Sequence, residues 1–191
     1  MNILFLDLET TGLNKDENEV IQLAALVVVN GEIKEELSFF FKPEHPENTY
    51  QKALEITGLT METIMAYNDD PRVALRTIDQ TLKKWAPINE DWAIAGQNVK
   101  FDMEFFELWW NKNQGAGSKL YRKTFKFVSL DLINLAFAFH IAGVFTFKNF
   151  KLSTILETLD MVFEGESHNA LNDIRMTYKA YFKLIEMIIN K

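Results

Sequence analysis

The chain opens on an unbroken apolar run, Ile3-Leu4-Phe5-Leu6, which reads as a buried strand and ends in two acids one residue apart, Asp7 and Glu9. Two further β-rich stretches, Glu19–Val29 and Ile33–Lys42, flank Asn30-Gly31, a dipeptide suited to the two central positions of a hairpin turn. Together these predict three sequential antiparallel strands. The period then changes. Between Arg72 and Ala86, the apolar residues Leu75, Ile78, Leu82 and Trp85 recur at helical spacing, and Pro87 lies where such a helix should stop. Trp92–Gly96 predicts a short buried strand, followed by a helix over about Phe101–Lys112 and a loop at Asn113–Ser118 that contains two glycines. Further helices are expected near Leu132–Ile141, Leu152–Leu159 and Ala170–Ile189. No internal repeat, low-complexity tract or long linker interrupts this order, so residues 1–191 are expected to form one domain of α/β class.

Composition narrows the setting. A chain of 191 residues can bury a substantial core, and 48% hydrophobic with 25% charged residues is ordinary for a globular protein. Cysteine is absent, which excludes disulfides and thiolate metal sites and fits a reducing compartment. No apolar stretch reaches the length of a membrane span, and the N-terminal run lacks the basic region of a signal peptide. A cytoplasmic location with no membrane partner is the expectation. Charge adds one asymmetry. From Asn111 to Leu156 seven basic residues (Lys112, Lys119, Arg122, Lys123, Lys126, Lys148, Lys151) face one acid, Asp131, so this segment is +6 while the net charge of −7 leaves −13 elsewhere. A basic face for a polyanion and a solvated lysine-rich loop both fit that pattern.

The chemistry concentrates in three blocks. Residues two apart on a strand share a face, so Asp7 and Glu9 project side by side. Two carboxylates held close repel by roughly 1 kcal/mol in water and about 4 kcal/mol at a protein-like dielectric, a cost a hard cation with oxygen ligands offsets. Gly12 is expected to let the backbone bend away just past them. The second block, Gln97-Asn98-Val99-Lys100-Phe101-Asp102, follows the Trp92–Gly96 strand; the third is Ser167-His168-Asn169-Ala170-Leu171-Asn172-Asp173. Five helical residues rotate by about 140° net, so His168 and Asp173 serve one site only if His168 lies on the loop before the helix. Ser167 and Asn169 are suitable capping residues there, as Asp131 is before Leu132. Asp7, Glu9, Asp102 and Asp173 together carry −4, which two divalent cations would cancel; with no cysteine, Mg²⁺ or Mn²⁺ suits this set better than zinc.

Taken in order, the three blocks resemble the three motifs of the DEDDh 3′–5′ exonucleases, a DnaQ-like family that includes polymerase proofreading exonucleases, ribonuclease T and oligoribonuclease. The resemblance runs from Asp7 to Asp173 and extends to Ile56-Thr57-Gly58-Leu59-Thr60 and to Lys151–Glu157. Histidine five residues before the last aspartate marks the His subclass; Gln97 stands where many relatives carry a second histidine. The resemblance implies a ribonuclease H-like exonuclease fold, a mixed five-stranded sheet with helices packed on it. It also implies a metal-dependent 3′–5′ exonuclease releasing 5′-mononucleotides from single-stranded ends, DNA favoured. In that reading two Mg²⁺ (or Mn²⁺) are held by Asp7, Glu9, Asp102 and Asp173, with Asp7 bridging both and His168 as general base. Thr10, Leu13, Asn98 and Phe101 match positions near the terminal nucleotide. Phe101 and Phe105 are candidates for base stacking, with core packing as the alternative, whereas Phe39-Phe40-Phe41 and Trp109-Trp110 read as core or interface. Two other functions stay open: an exoribonuclease that trims RNA, and a non-catalytic exonuclease-fold subunit of a polymerase. Expected partners are single-stranded 3′ ends and a polymerase or repair protein, although the chain ends just after its last predicted helix, with no tail for a polymerase or clamp.

Overall fold

The computed structural model describes residues 1–86, 91–115, 121–164 and 169–189. Strand β1 (Asn2–Thr10) pairs antiparallel with β2 (Val20–Val29), and β2 antiparallel with β3 (Glu32–Phe40). On the other side of β1, β4 (Trp92–Gly96) and then β5 (Phe125–Asp131) add in parallel, giving the sheet order β3-β2-β1-β4-β5. The expected mixed five-stranded sheet is therefore present, with β1 at its centre. Asn30 and Gly31 both take positive φ, 53° and 85°, the backbone of a type I′ turn whose twist matches the strands it joins.

The helices are α1 (Gln51–Thr57), α2 (Met61–Met65), α3 (Pro71–Trp85), α4 (Val99–Asn113), α5 (Tyr121–Thr124), α6 (Leu132–Ile141), α7 (Leu152–Thr158) and α8 (Ala170–Ile189). The helix expected from Arg72 starts at Pro71, because the Asp70 carboxylate caps it by accepting the N–H groups of Arg72 and Val73. The helix expected from Phe101 starts two residues earlier, at Val99. Pro87 and residues 116–118 of the expected loop lie outside the described residues. Helices α1, α2 and α5 have no counterpart in the hydrophobic pattern. The first two bury one apolar residue each, Leu54 and Ile64, so they have no amphipathic period to read. They are set instead by local signals: a left-handed Gly58 closes α1, and the Thr60 hydroxyl accepts the Thr63 N–H to open α2. No helix among the described residues is long and apolar enough to cross a membrane.

Both faces of β1 are covered. Leu4, Leu6 and Leu8 pack with Leu75 and Ile78 of α3 and Phe105, Phe106 and Trp110 of α4. Ile3 and Phe5 point the opposite way, against Ala170 and Ile174 of α8. Burial on both sides explains an unbroken apolar run where a half-exposed strand would alternate. It also decides where the next acids go: Asp7 and Glu9 continue the row of Ile3 and Phe5, on the α8 side.

Candidate active site

Helix α8 supplies the third acid. The Asn169 side chain accepts the Asn172 N–H at 3.3 Å and so caps the helix, as its position before Ala170 predicted. Asp173 falls in the first turn, between Ala170 and Ile174, which pack on the sheet. Its carboxylate thus meets those of Asp7 and Glu9, and one oxygen from each lies within 4.8 Å of the others. Asp102 arrives from the opposite face. It sits in the first turn of α4, is 4% exposed, and accepts the N–H of Leu8, the residue between the two β1 acids, at 3.0 Å. The structure brings together four of the five expected catalytic residues; His168 lies outside the described residues.

The electrostatics of the cluster are unfavourable as it stands. Burial, then the charges of Asp102, Glu9 and Asp173, push the Asp7 carboxyl well above the ordinary carboxylate range. Burial and the Asp173 charge push Glu9 up to about 8. Asp102 is raised by burial and by Glu9 and Asp131, partly opposed by the N–H groups of Leu8 and of Asp102 itself. Acids so placed either keep their protons or acquire a positive partner. The donor set fits a small hard cation: it is all oxygen, and ligands of one octahedral Mg²⁺ at 2.0–2.1 Å lie about 3–4 Å apart, little less than the 4.8 Å spread here.

The loop after β1 closes on itself. The Thr10 hydroxyl donates to the Gly12 carbonyl at 2.6 Å, Thr11 exchanges hydrogen bonds with Glu19, and the Asn18 side chain accepts the Asn14 N–H at 2.9 Å. With its hydroxyl so engaged, Thr10 shapes the loop through its side chain. Gly12 is required by crowding more than by a bend: a Cβ there would lie 2.5 Å from both the Asn18 Oδ1 and the Tyr50 ring. Leu13, at the tip, is 85% exposed, an apolar side chain held in water. Phe101 is half-buried, with its ring centroid 4.8 Å from that of Phe105. Phe105 itself is 4% exposed and belongs to the core, as do Phe41, Trp109 and Trp110, which leaves Phe101 as the more accessible of the two rings. A cavity of about 440 Å³ opens beyond Phe105, against Val20, Phe41 and Trp109, but none of the four acids lines it.

Asn98 precedes α4 in a left-handed conformation (φ 56°, ψ 39°), its exposed amide making no capping bond. The conformation is held by Asp131, which caps α6 as expected but also accepts the N–H groups of Asn98 and Val99. The capping role was legible from the acid before Leu132. The second role was not, because it depends on Asp131 lying opposite Gly96 in the β4–β5 pairing. In the basic segment, Lys112 pairs with Glu44 and Arg122 with Glu107, while Lys123, Lys148 and Lys151 are exposed. Lys119 lies outside the described residues.

The family model for RNase_T exonucleases matches residues 4–181. The PolC-type DNA polymerase III of Thermotoga maritima is 28% identical over 96% of this chain, and that of Bacillus cereus 31% identical over 97%; the chain spans only 12% and 11% of those proteins. Among solved structures, the zinc-bound complex of Escherichia coli exonuclease I with single-stranded DNA matches with a TM-score of 0.78 and 20% identity, over 100% of this chain and 41% of that one. Exonuclease I of Methylocaldum szegediense matches at 0.73 and 17%, over 99% and 43%. At such identities these two structures establish the ribonuclease H-like fold.

Proposed function

Because this chain belongs to the RNase_T exonuclease family, we propose that it is a metal-dependent 3′–5′ exonuclease that trims single-stranded nucleic acid, DNA in preference to RNA, to 5′-mononucleotides. The observation that carries this reading is the convergence of Asp7, Glu9 and Asp173 at the end of β1, with Asp102 fastened to the same strand from behind. Asp7, Glu9 and Asp173, with Asp102 beside them, are the residues that would hold the divalent ions. When bound, two Mg²⁺ or Mn²⁺ ions supply the positive charge that offsets the carboxylates and the charge growing on the scissile phosphate.

The protein's own groups then do the following. His168, on the segment before α8, takes the proton from the attacking water, a task suited to an imidazole with an ordinary pKa of about 6.5. Oxygen of that water bonds to phosphorus, the bond to the 3′-oxygen of the preceding nucleotide breaks, and that oxygen is protonated to become the new 3′ end. Leu13 and Phe101 grip the terminal base, and the Thr10 backbone and Asn98 amide place its sugar and phosphate. The preference for DNA and a polymerase or repair protein as partner are supported by the DNA polymerases among the relatives and the single-stranded DNA in the exonuclease I complex. RNA trimming is the second reading, since stacking and phosphate contacts select no base. Retention of all four acids and His168 speaks against a non-catalytic subunit.

A test uses matched single strands labelled at either end, with Mg²⁺. The 3′-labelled strand should release labelled mononucleotide at the earliest times, the 5′-labelled strand should shorten stepwise, and DNA should be cut faster than RNA. Efficient cleavage of closed single-stranded circles would overturn the reading, since circles offer no end.

A further inference from the structure

We propose that Asp131 is a positioning residue for the acid cluster, fixing the start of α4 so that Asp102 is held against β1. The inference rests on the metal-site reading above and names a residue that acts through another. Its Oδ1 accepts the N–H of Asn98 at 3.1 Å and of Ile133 at 2.9 Å, and its Oδ2 accepts the N–H of Val99 at 3.1 Å. Only the Ile133 bond belongs to α6, the helix Asp131 caps. The other two belong to the turn that opens α4.

That turn needs an external hold. Asn98 lies in the left-handed region, which residues other than glycine enter at a cost, and its own side chain makes no capping bond. The N–H groups of a helix start are unsatisfied unless something outside the helix accepts them. Asp131 is in position to do so because β5 pairs it with Gly96, two residues before Asn98. A second tie runs from the same turn: the Gln97 side-chain amide donates to the Phe150 carbonyl at 2.7 Å. From Val99 the helix rises one turn to Asp102, whose carboxylate accepts the Leu8 N–H between Asp7 and Glu9. One carboxylate at the far edge of the sheet is thus connected, through one turn of helix, to the backbone that carries the acid pair. If Asp131 only capped α6, its loss would be felt at α6 and not at the cluster.

Asp131→Ser separates the two roles, because serine is a good helix cap but too short to bridge three amides. The measurement is calorimetric titration of the purified protein with Mn²⁺, together with kcat, KM and Tm on the same preparation. Asp70→Ala, which uncaps α3 away from the cluster, serves as the stability control. For Asp131→Ser the expected result is Mn²⁺ affinity at least about tenfold weaker and kcat lower by a similar factor, with KM within about twofold of wild type. Asp70→Ala should lower Tm and leave Mn²⁺ affinity unchanged. If the serine variant does not fold, Asp131→Asn, which keeps the shape but turns one acceptor into a donor facing an N–H, carries the same expectation. Wild-type Mn²⁺ affinity and kcat in a folded Asp131 variant would overturn the inference alone. Wild-type protein that binds no Mn²⁺ would overturn the metal-site reading and this inference with it.

Discussion

The two sides of the end of β1 hold carboxylates in opposite ways. On the α8 side Asp7, Glu9 and Asp173 crowd one another, and burial and mutual repulsion push Asp7 and Glu9 toward the protonated form. On the α4 side Asp102 is more deeply buried and is pushed up as well, yet the N–H groups of Leu8 and of Asp102 itself oppose that shift, and it stands on a helix start that Asp131 fastens. Buried polar groups are normally satisfied from within the protein. The Asp102 carboxylate is met in this way by the Leu8 N–H, and the α4 side forms a back. The α8 side gathers like charges and forms a front suited to a cation, which is where perturbed carboxylates point to function.

The largest effect should appear when the front is deprived of that partner. Excess EDTA should abolish hydrolysis, and Mg²⁺ or Mn²⁺ should restore it, because the three carboxylates crowded at the front are the proposed seat of the ions. Full activity in EDTA would end the comparison as drawn. Next comes His168, the proposed general base. His168→Ala should lower the single-turnover rate by roughly 10²–10⁴-fold while leaving Mn²⁺ binding intact. Near-normal turnover with a lowered Tm would show that His168 only anchors the loop before α8.

The front was more legible in the sequence than the back. Asp7 and Glu9 follow an apolar run at strand spacing, and Asn169 and Asp173 sit where a helix cap and first turn belong, so local patterns placed three acids that the fold then brings together. The spacing could also say that His168 must precede the helix. The back depends on contacts distant in sequence. Asp102 could be read as an acid near a helix start, but not as an acceptor for Leu8, 94 residues away. Asp131 was legible as a cap for α6 and invisible as the clamp on Asn98 and Val99. Gly12 was read as a bend, whereas its reason is the packing of Asn18 and Tyr50 against the loop. Strand runs and long amphipathic helices were recoverable because burial imposes a period on them; α1, α2 and α5 were not, being too short to show one.

Stability without metal should separate the two sides by sign. In the folded protein Glu9 is pushed up to about 8 from an ordinary value of 4.5, and Asp7 is raised as well. As pH rises from about 4.5 to 8 the unfolded chain gives up the Glu9 proton while the folded protein still holds it. Folding stability therefore declines with pH across that window. Metal-free protein should melt lower at pH 8 than at pH 5, and saturating Mg²⁺ should remove the difference. Asp7→Asn relieves the repulsion and should melt above wild type at pH 8 without metal, even though it should be inactive. Asp102→Ala should do the reverse at pH 5, losing about 1–3 kcal/mol because the Leu8 N–H is left without an acceptor. Thermal melts of the three proteins at both pH values decide it. A stabilised Asp102→Ala at pH 5 would mean that the back is strained too.

The smallest effect concerns Leu13, which belongs to neither side. It lies four residues beyond Glu9 at the tip of the closed loop and is 85% exposed. Fully burying a leucine is worth about 1.5–3 kcal/mol, so covering part of it with a nucleotide base should contribute about 1 kcal/mol to binding. Leu13→Ala should accordingly raise KM about fivefold. Because the Leu13 side chain can neither hold a metal ion nor move a proton, kcat should stay within about twofold and Mn²⁺ affinity should not change. Its exposure also predicts a stability change of no more than about 0.5 kcal/mol. Steady-state kinetics on a short single strand, run beside a Mn²⁺ titration, provide the check. A fall in kcat with KM unchanged would show that Leu13 aligns the reacting phosphate, and the division between a charged front for chemistry and an apolar rim for grip would have to be given up.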